Sequence, residues 1–331
     1  MSDSERRAAG GLPAALSFRT GNAMGEAYDI LGLGCATMDD FLFVREYPPA
    51  ESKVRVTRRE RQGGGLTGTA LVAAARLGAR CAYAGILGRD DEVSRFLRAT
   101  FEREGIDARH AAVREDASPL HSFNVVDETH ETRTCFYYTS GAAGADERAP
   151  SEDVIRSAKV LFVDQYGVPG MLRAATVARE AGIEVVADFE HGDVPRFGEL
   201  VALVGHLILP MNFARELTDL SDPEAVVRAL WIKGMDTVAV THGREGAWFI
   251  HRDDPRTVRR QSAFLVHTVD TTGCGDVFHG AYAAALARGL PVEQRMRLAS
   301  AAAAIKSTQP GGQKGIPTLP VVEKFLAERG G

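Results

Sequence analysis

The sequence predicts an α/β fold: a three-layer α/β/α sandwich with a mostly parallel central sheet and a small β-sheet lid. Two observations predict it. From about Ala158 onward, short apolar runs alternate with helical patterns, as in a parallel sheet covered on both faces. Nearer the N-terminus, two pairs of extended segments break that alternation, as strands leaving the main sheet would.

The elements follow in order. Residues 1–25 are rich in Gly, Ala, Ser and Arg and lack a sustained apolar face. They read as a disordered tail ahead of one domain over 26–331, or as sequence upstream of a start at Met24. A transit peptide fits less well, because Asp3 and Glu5 are acidic. Tyr28–Leu33 is the first apolar strand. Phe41–Arg45 and Val54–Arg61 pair as extended segments. Ser122–Val126 and Thr132–Tyr138 form a hairpin through the polar turn Asp127–Glu131. Lid strands are therefore expected within about 40–62 and 118–139. Helical patterns cover Thr69–Leu77, Asp91–Glu104, Met171–Ala181, Glu224–Lys233 and Val277–Arg288. Cys81–Ile86, Val160–Val163, Glu184–Ala187, His206–Leu209 and Thr237–Val240 are buried strands.

Bulk properties narrow the function. The net charge of −5 comes with no basic stripe interleaved with aromatics, so nucleic acid is not an expected partner. The longest apolar runs, Ala281–Leu286 and Ala299–Ile305, are too short to span a bilayer. Cys35, Cys81, Cys135 and Cys274 form no Cys-x-x-Cys pair, which fits a reducing cytoplasm and neither a zinc site nor a disulfide framework.

The run Val269 to Gly280 carries the strongest chemistry. Gly273 and Gly275 let successive amides point one way, and the helix that follows adds its unpaired N–H groups and dipole. Together they make a phosphate pocket. Asp276 at its edge is either a helix cap or a base that takes a proton from an attacking hydroxyl. Two familiar nucleotide motifs are missing. Gly32-Leu33-Gly34-Cys35-Ala36-Thr37 has Thr37 where the third glycine of a dinucleotide site would stand, and no Gly-x4-Gly-Lys-Ser/Thr occurs. A Rossmann oxidoreductase is thus a distant alternative. Gly63-Gly64-Gly65 ahead of Thr69 offers bare backbone for close approach of a ligand. Thr241-His242-Gly243-Arg244-Glu245-Gly246 reads, by itself, as a turn joining two strands.

Asp270-Thr271-Thr272-Gly273-Cys274-Gly275-Asp276 resembles the second signature of the PfkB, or ribokinase-like, carbohydrate kinases, with Cys274 replacing the usual alanine. The Gly63–Ala70 run resembles the first signature, with Thr69 where the family commonly has Asn. The resemblance covers nearly the whole chain after Met24. The triple glycine and the run Pro310–Pro317 are similar to the sulfofructose-kinase-like branch.

The resemblance implies a ribokinase-like fold and ATP-dependent phosphorylation of a sugar hydroxyl. Asp276 would be the base, and the amides of Gly273, Cys274 and Gly275 the anion hole. Asp39, with Asp40 as the alternative, Lys53, Gly64, Gly65 and Thr69 would bind the acceptor. Lys53 falls where that branch binds an anion, and is equally readable as a solvated lysine. Tyr137 and Tyr166 stand where the branch's other sulfonate contacts would align, so the branch is carried over and the sulfosugar is not. Thr241, Gly243, Gly246, Ser300 and Gly312 would border the nucleotide, although Ser300–Ile305 also suits a packing helix. Mg²⁺ is expected with ATP, with ligands unassigned: the Asn-x-x-Glu motif is displaced at Asn212 and Glu216, and Asp188 is a substitute. Carbonyls of the Asp270 and Gly311 loops would hold a monovalent cation such as K⁺. The lid implies a homodimer. The alternatives are a nucleoside kinase and a catalytically silent sugar- or nucleotide-binding regulator.

Overall fold

The computed structural model describes residues 27–329, so the expectation for the N-terminal tail lies outside the described residues. The chain opens with β1 (Tyr28–Gly32), then β2 (Thr37–Val44) and β3 (Arg58–Gly64). Helix α1 (Leu66–Arg76), β4 (Cys81–Tyr83), β5 (Ile86–Leu87), α2 (Glu92–Arg103) and β6 (Ala112–Val113) follow. A hairpin of β7 (Leu120–Asp127) and β8 (Thr132–Tyr138) leads to α3 (Glu152–Arg156) and β9 (Ala158–Val163). Next come α4 (Val168–Glu180), β10 (Glu184–Asp188), α5 (Phe197–Leu203), β11 (His206–Pro210), α6 (Met211–Thr218) and α7 (Pro223–Leu230). Then β12 (Thr237–Thr241), β13 (Ala247–His251) and β14 (Asp254–Gln261) precede α8 (Cys274–Ala287), α9 (Val292–Lys306) and α10 (Leu319–Glu328).

Eight strands form the main sheet, in the order β14-β13-β12-β11-β10-β9-β1-β4. It is parallel from β12 to β4, and β13 and β14 add an antiparallel edge. Strand periodicity sorts the core into two layers. Ile30, Val160, Phe162, Val186 and Ile208 pack with α1, α8 and α9. Leu31, Leu161, Val163, Val185 and Leu207 pack with α4 and its neighbours. Helices α1 and α8 cross so closely that a Cβ at Gly280 would lie 2.1 Å from the Ala70 carbonyl oxygen. Both edges of the sheet are guarded. Strand β4 has only three residues, and β14 carries Pro255, Arg256, Arg259 and Arg260.

The second sheet, β3-β2-β7-β8, is the lid. Its first pair is shifted from the sequence expectation. Strand β2 begins at Thr37, because the pleat continues through Asp39 and Asp40, whose low strand propensity hides it. Strand β3 begins at Arg58, after an irregular stretch containing Pro48 and Pro49. Strand β14 and the shorter helices α3, α5, α6 and α10 were not expected. Among the described residues, no helix is long and apolar enough to cross a membrane.

Candidate active site

The carboxyl ends of β1, β9 and β10 meet the N-terminus of α8, where open α/β sheets place their crevice. Helix α8 starts at Cys274, three residues before the expected Val277, so Asp276 lies in its first turn. Gly273 caps it with φ 74°, a left-handed geometry that favours glycine. Among the described residues, the amides of Gly273, Gly275 and Asp276 have no acceptor, and a Cβ at Gly275 would meet open space. The Cys274 amide is different. It donates to the Thr271 carbonyl at 3.1 Å to close the turn, which removes it from the expected anion hole.

Asp276 accepts no hydrogen bond from a described residue, so it is not a cap. Burial pushes its carboxyl well above the usual range, and the charges of Asp188, Glu190 and Asp39 push it further. Asp188 is raised by burial and by Glu190 and Asp164. Its buried Oδ2 has no hydrogen-bond partner and lies 3.3 Å from His279 Nδ1. Asp164, fully buried, ties the surrounding loops together. It accepts from the amides of Cys35 (2.7 Å) and Tyr166 (2.8 Å) and from the Thr67 hydroxyl (2.9 Å). Burial nonetheless lifts it to about 6. A Cβ at Gly34 would lie 1.8 Å from Asp164 Oδ2, so that carboxylate requires the glycine.

Alternation along β2 sends Asp39 and Asp40 to opposite faces of the lid. Asp39 Oδ1 accepts from Thr37 (2.6 Å) and Ser122 (2.8 Å), while Oδ2 lies over Gly64, where a Cβ would come within 2.0 Å. Burial raises the Asp39 carboxyl. Asp40 points to the other face, bound to Arg61 (2.8 Å) and His121 (2.9 Å). Burial would raise it, but those partners hold it at about 2. Gly65, at φ 83°, caps α1. Thr69 is buried, and its hydroxyl meets Gln313 Nε2 at 3.4 Å. Lys53 is exposed in the irregular stretch before β3, not on a lid strand. Tyr137 is 70% exposed and stands opposite Ser122 in the ladder, on the face that carries Asp39. Arg133 of β8 reaches across to donate to the Thr272 hydroxyl.

Beside the turn before α8 lies a cavity of about 310 Å³. Thr241, Gly243, Gly246 and Ser300 line it, with Phe264, Ala304 and Gly275. That size suits a nucleotide. Gly312 is not part of the lining. Its carbonyl backs Gly273 instead, 2.9 Å from where a Cβ would sit. The Thr241–Gly246 turn joins β12 to β13, as its sequence suggested. Asn212 and Glu216 lie exposed on α6.

The carbonyls of the Asp270 loop, one half of the expected monovalent-cation site, are met by the chain itself. The ammonium of buried Lys306 donates to the carbonyls of Asp270 (3.1 Å) and Thr272. Sequence reasoning missed Lys306, Asp164 and Glu190. Asp164 and Glu190 follow apolar strands, a faint pointer to the crevice; nothing in the sequence marks Lys306 as buried.

An unpartnered buried carboxyl, free amides beside it and a cavity of nucleotide size fit an enzyme that moves a phosphoryl group to a hydroxyl. The sequence profile of the pfkB family of carbohydrate kinases matches residues 30–319, and the chain belongs to that family. It is 28% identical to a ribokinase of Haemophilus influenzae, over 80% of this chain and 87% of that protein. It is 27% identical to a nucleoside kinase of Methanothermobacter thermautotrophicus, over 93% of this chain and 98% of that one. A crystal structure from Agrobacterium tumefaciens superposes with a TM-score of 0.82 at 28% identity, covering 91% of this chain and 97% of the other. Arabidopsis thaliana ribokinase complexed with ribose and ATP shares the fold, with a TM-score of 0.78 at 20% identity over 90% and 98% of the two chains. The ribokinase-like fold and lid are as expected, and the protein is a phosphotransferase with an alcohol acceptor.

Proposed function

We propose that the enzyme transfers the γ-phosphate of ATP to a hydroxyl of a small neutral sugar, a ketose or a related carbohydrate. The observation that carries this reading is the Asp276 carboxylate: it is free of partners, beside open amides, and close enough to Asp39 for their charges to couple. Asp39 Oδ2 accepts hydrogen bonds from acceptor hydroxyls and orients the ring. Asp276 takes the proton of the attacking hydroxyl as its oxygen bonds to the γ-phosphorus and the bond to the ADP oxygen breaks. The Gly273 and Gly275 amides receive the charge on the transferring group. Lid closure excludes water, with Arg133 spanning from β8 to the Thr272 turn.

The orphaned Asp188 oxygen and the neighbouring Glu190 carboxylate fit a divalent cation, which would offset the phosphate charge when bound. Two further readings rest on particular features. The outer lid face exposes Phe123, Phe136 and Tyr138, which suits a homodimer formed through the lid. Four free cysteines and a need for ATP suit the cytoplasm.

A nucleoside acceptor is the second reading, favoured by exposed Tyr137 on the acceptor face as a stacking surface for a base. An ADP-release screen over ketoses, aldoses, sulfosugars, sugar phosphates and nucleosides tests both. Turnover with a free sugar supports the first and turnover with a nucleoside the second. No acceptor-dependent ADP release would defeat the kinase reading.

A further inference from the structure

Lys306 is the last residue of α9 and is 0% exposed. Ammonium groups rarely accept such burial without a task, because losing water disfavours the charge. Its Nζ donates to the carbonyls of Asp270 and Thr272. Those carbonyls belong to the tight turn that delivers Gly273 to the start of α8. The rest of the turn is tied to the same place. The amides of Val269 and Asp270 donate to the carbonyl of Ser307, the residue after Lys306, at 2.8 and 3.0 Å. The Asp270 carboxylate accepts from the amides of Thr272 (2.8 Å) and Gly311 (2.7 Å). Two carbonyl oxygens turned toward one point repel unless a cation sits between them, and this cation is covalently part of the chain. The end of a helix also favours positive charge. An alkali ion would need the same oxygens, and the ammonium already at them opposes it by volume and by charge. K⁺ therefore does not fit this loop.

We propose that Lys306 is a built-in cation that holds the anion-hole turn in its working shape, so that phosphoryl transfer needs no monovalent cation from solution. Lys306 is a positioning residue: it acts through the turn and touches neither substrate. The proposal rests on the kinase reading above. It also explains how the Gly273 and Gly275 amides stay aligned although the neighbouring Cys274 amide is used to close the turn.

The test uses the full chain in a buffer whose only monovalent cation is tetramethylammonium. ADP release with the best acceptor from the screen, and the melting temperature, are measured as KCl or NH₄Cl replaces it at equal ionic strength. The wild-type kcat and melting temperature should not respond. Lys306→Ala should lose about a hundredfold in kcat, with a smaller change in the KM for ATP. K⁺ or NH₄⁺ should restore part of that kcat and raise the variant's melting temperature. Several-fold activation of the wild type by K⁺ overturns the proposal. So does a Lys306→Ala enzyme whose kcat is intact, or whose loss neither ion repairs. If Lys306→Ala does not fold, Lys306→Met takes its place, and the wild-type titration decides independently. The melting arm needs no acceptor, so it reads cation binding even if no acceptor-dependent ADP release is found, the result that defeats the kinase reading.

Discussion

The two walls of the active-site crevice are built in opposite ways. The nucleotide wall, from Thr241 and the Asp270–Asp276 turn to α9, sets glycines and alanines beside Phe264, Leu265 and Phe278, and its turn is tied to Lys306 and Ser307 at the end of α9. The acceptor wall is a sheet assembled from distant strands, and its outermost strand, β8, is exposed along its whole length. The first wall leaves little freedom and performs one reaction. The second places Asp39, Ser122 and Tyr137 on one face through cross-strand register, so on the proposed reading substitutions there should change the acceptor without disturbing transfer. The proposed function thus assigns chemistry and specificity to separate pieces of the chain.

The largest test of that division is Asp276→Asn. It should lower kcat by about a thousandfold or more while leaving ATP affinity near wild type. A variant that turns over normally would remove Asp276 from the reaction. Acceptor-side changes should be smaller and confined to the acceptor. Asp39→Asn should lower kcat/KM for the acceptor by about ten- to a hundredfold, with the KM for ATP unmoved. Gly64→Ala should do much the same, because its methyl group displaces the Asp39 carboxylate. An equal rise in the ATP KM in either variant would show that the walls are not independent.

The pH profile comes next. Asp276 must be unprotonated to act, and burial with its acidic neighbours raises its carboxyl, so activity should fall on the acid side well above pH 4, the ordinary carboxylate value of about 4. Removing a neighbouring negative charge eases ionisation. Asp188→Asn should therefore move that acid limb to lower pH, in whatever activity remains; an unmoved limb would break the coupling of the pair. The smallest effect belongs to Cys274→Ala. Burial pushes the thiol up to about 11, so it is protonated at neutral pH and a poor target for peroxide. Rate and peroxide sensitivity should match the wild type; protection by the substitution would show a reactive thiolate.

The same division governs how much could be read in advance. Gly273, Gly275 and Asp276 are contiguous, so their geometry is local and the sequence displays it. The parallel strands from β9 to β12 announce themselves as apolar runs. Asp39 was legible only as one of two adjacent carboxylates. Choosing between them required the register of β2, which its own polar residues obscure. Lys306 looks like an ordinary basic residue closing a helix, and only the fold of the preceding loop around it reveals a buried charge. Lys53 was assigned by its place in a motif, yet the backbone between Pro48 and Arg58 does not continue the strand that would have aimed it.

The main sheet's guarded edges have a consequence for life at high concentration. An open parallel sheet could recruit another copy strand to strand. Here one rim is too short to serve as a template. The other presents Pro255 and three arginines, of which Arg259 pairs with Glu293 and Arg260 lies 4.7 Å over the Trp248 ring. Neither rim offers a template for strand addition. On the pairing proposed above, it is instead the apolar outer face of the lid, with Phe123, Phe136 and Tyr138, that would receive a second copy.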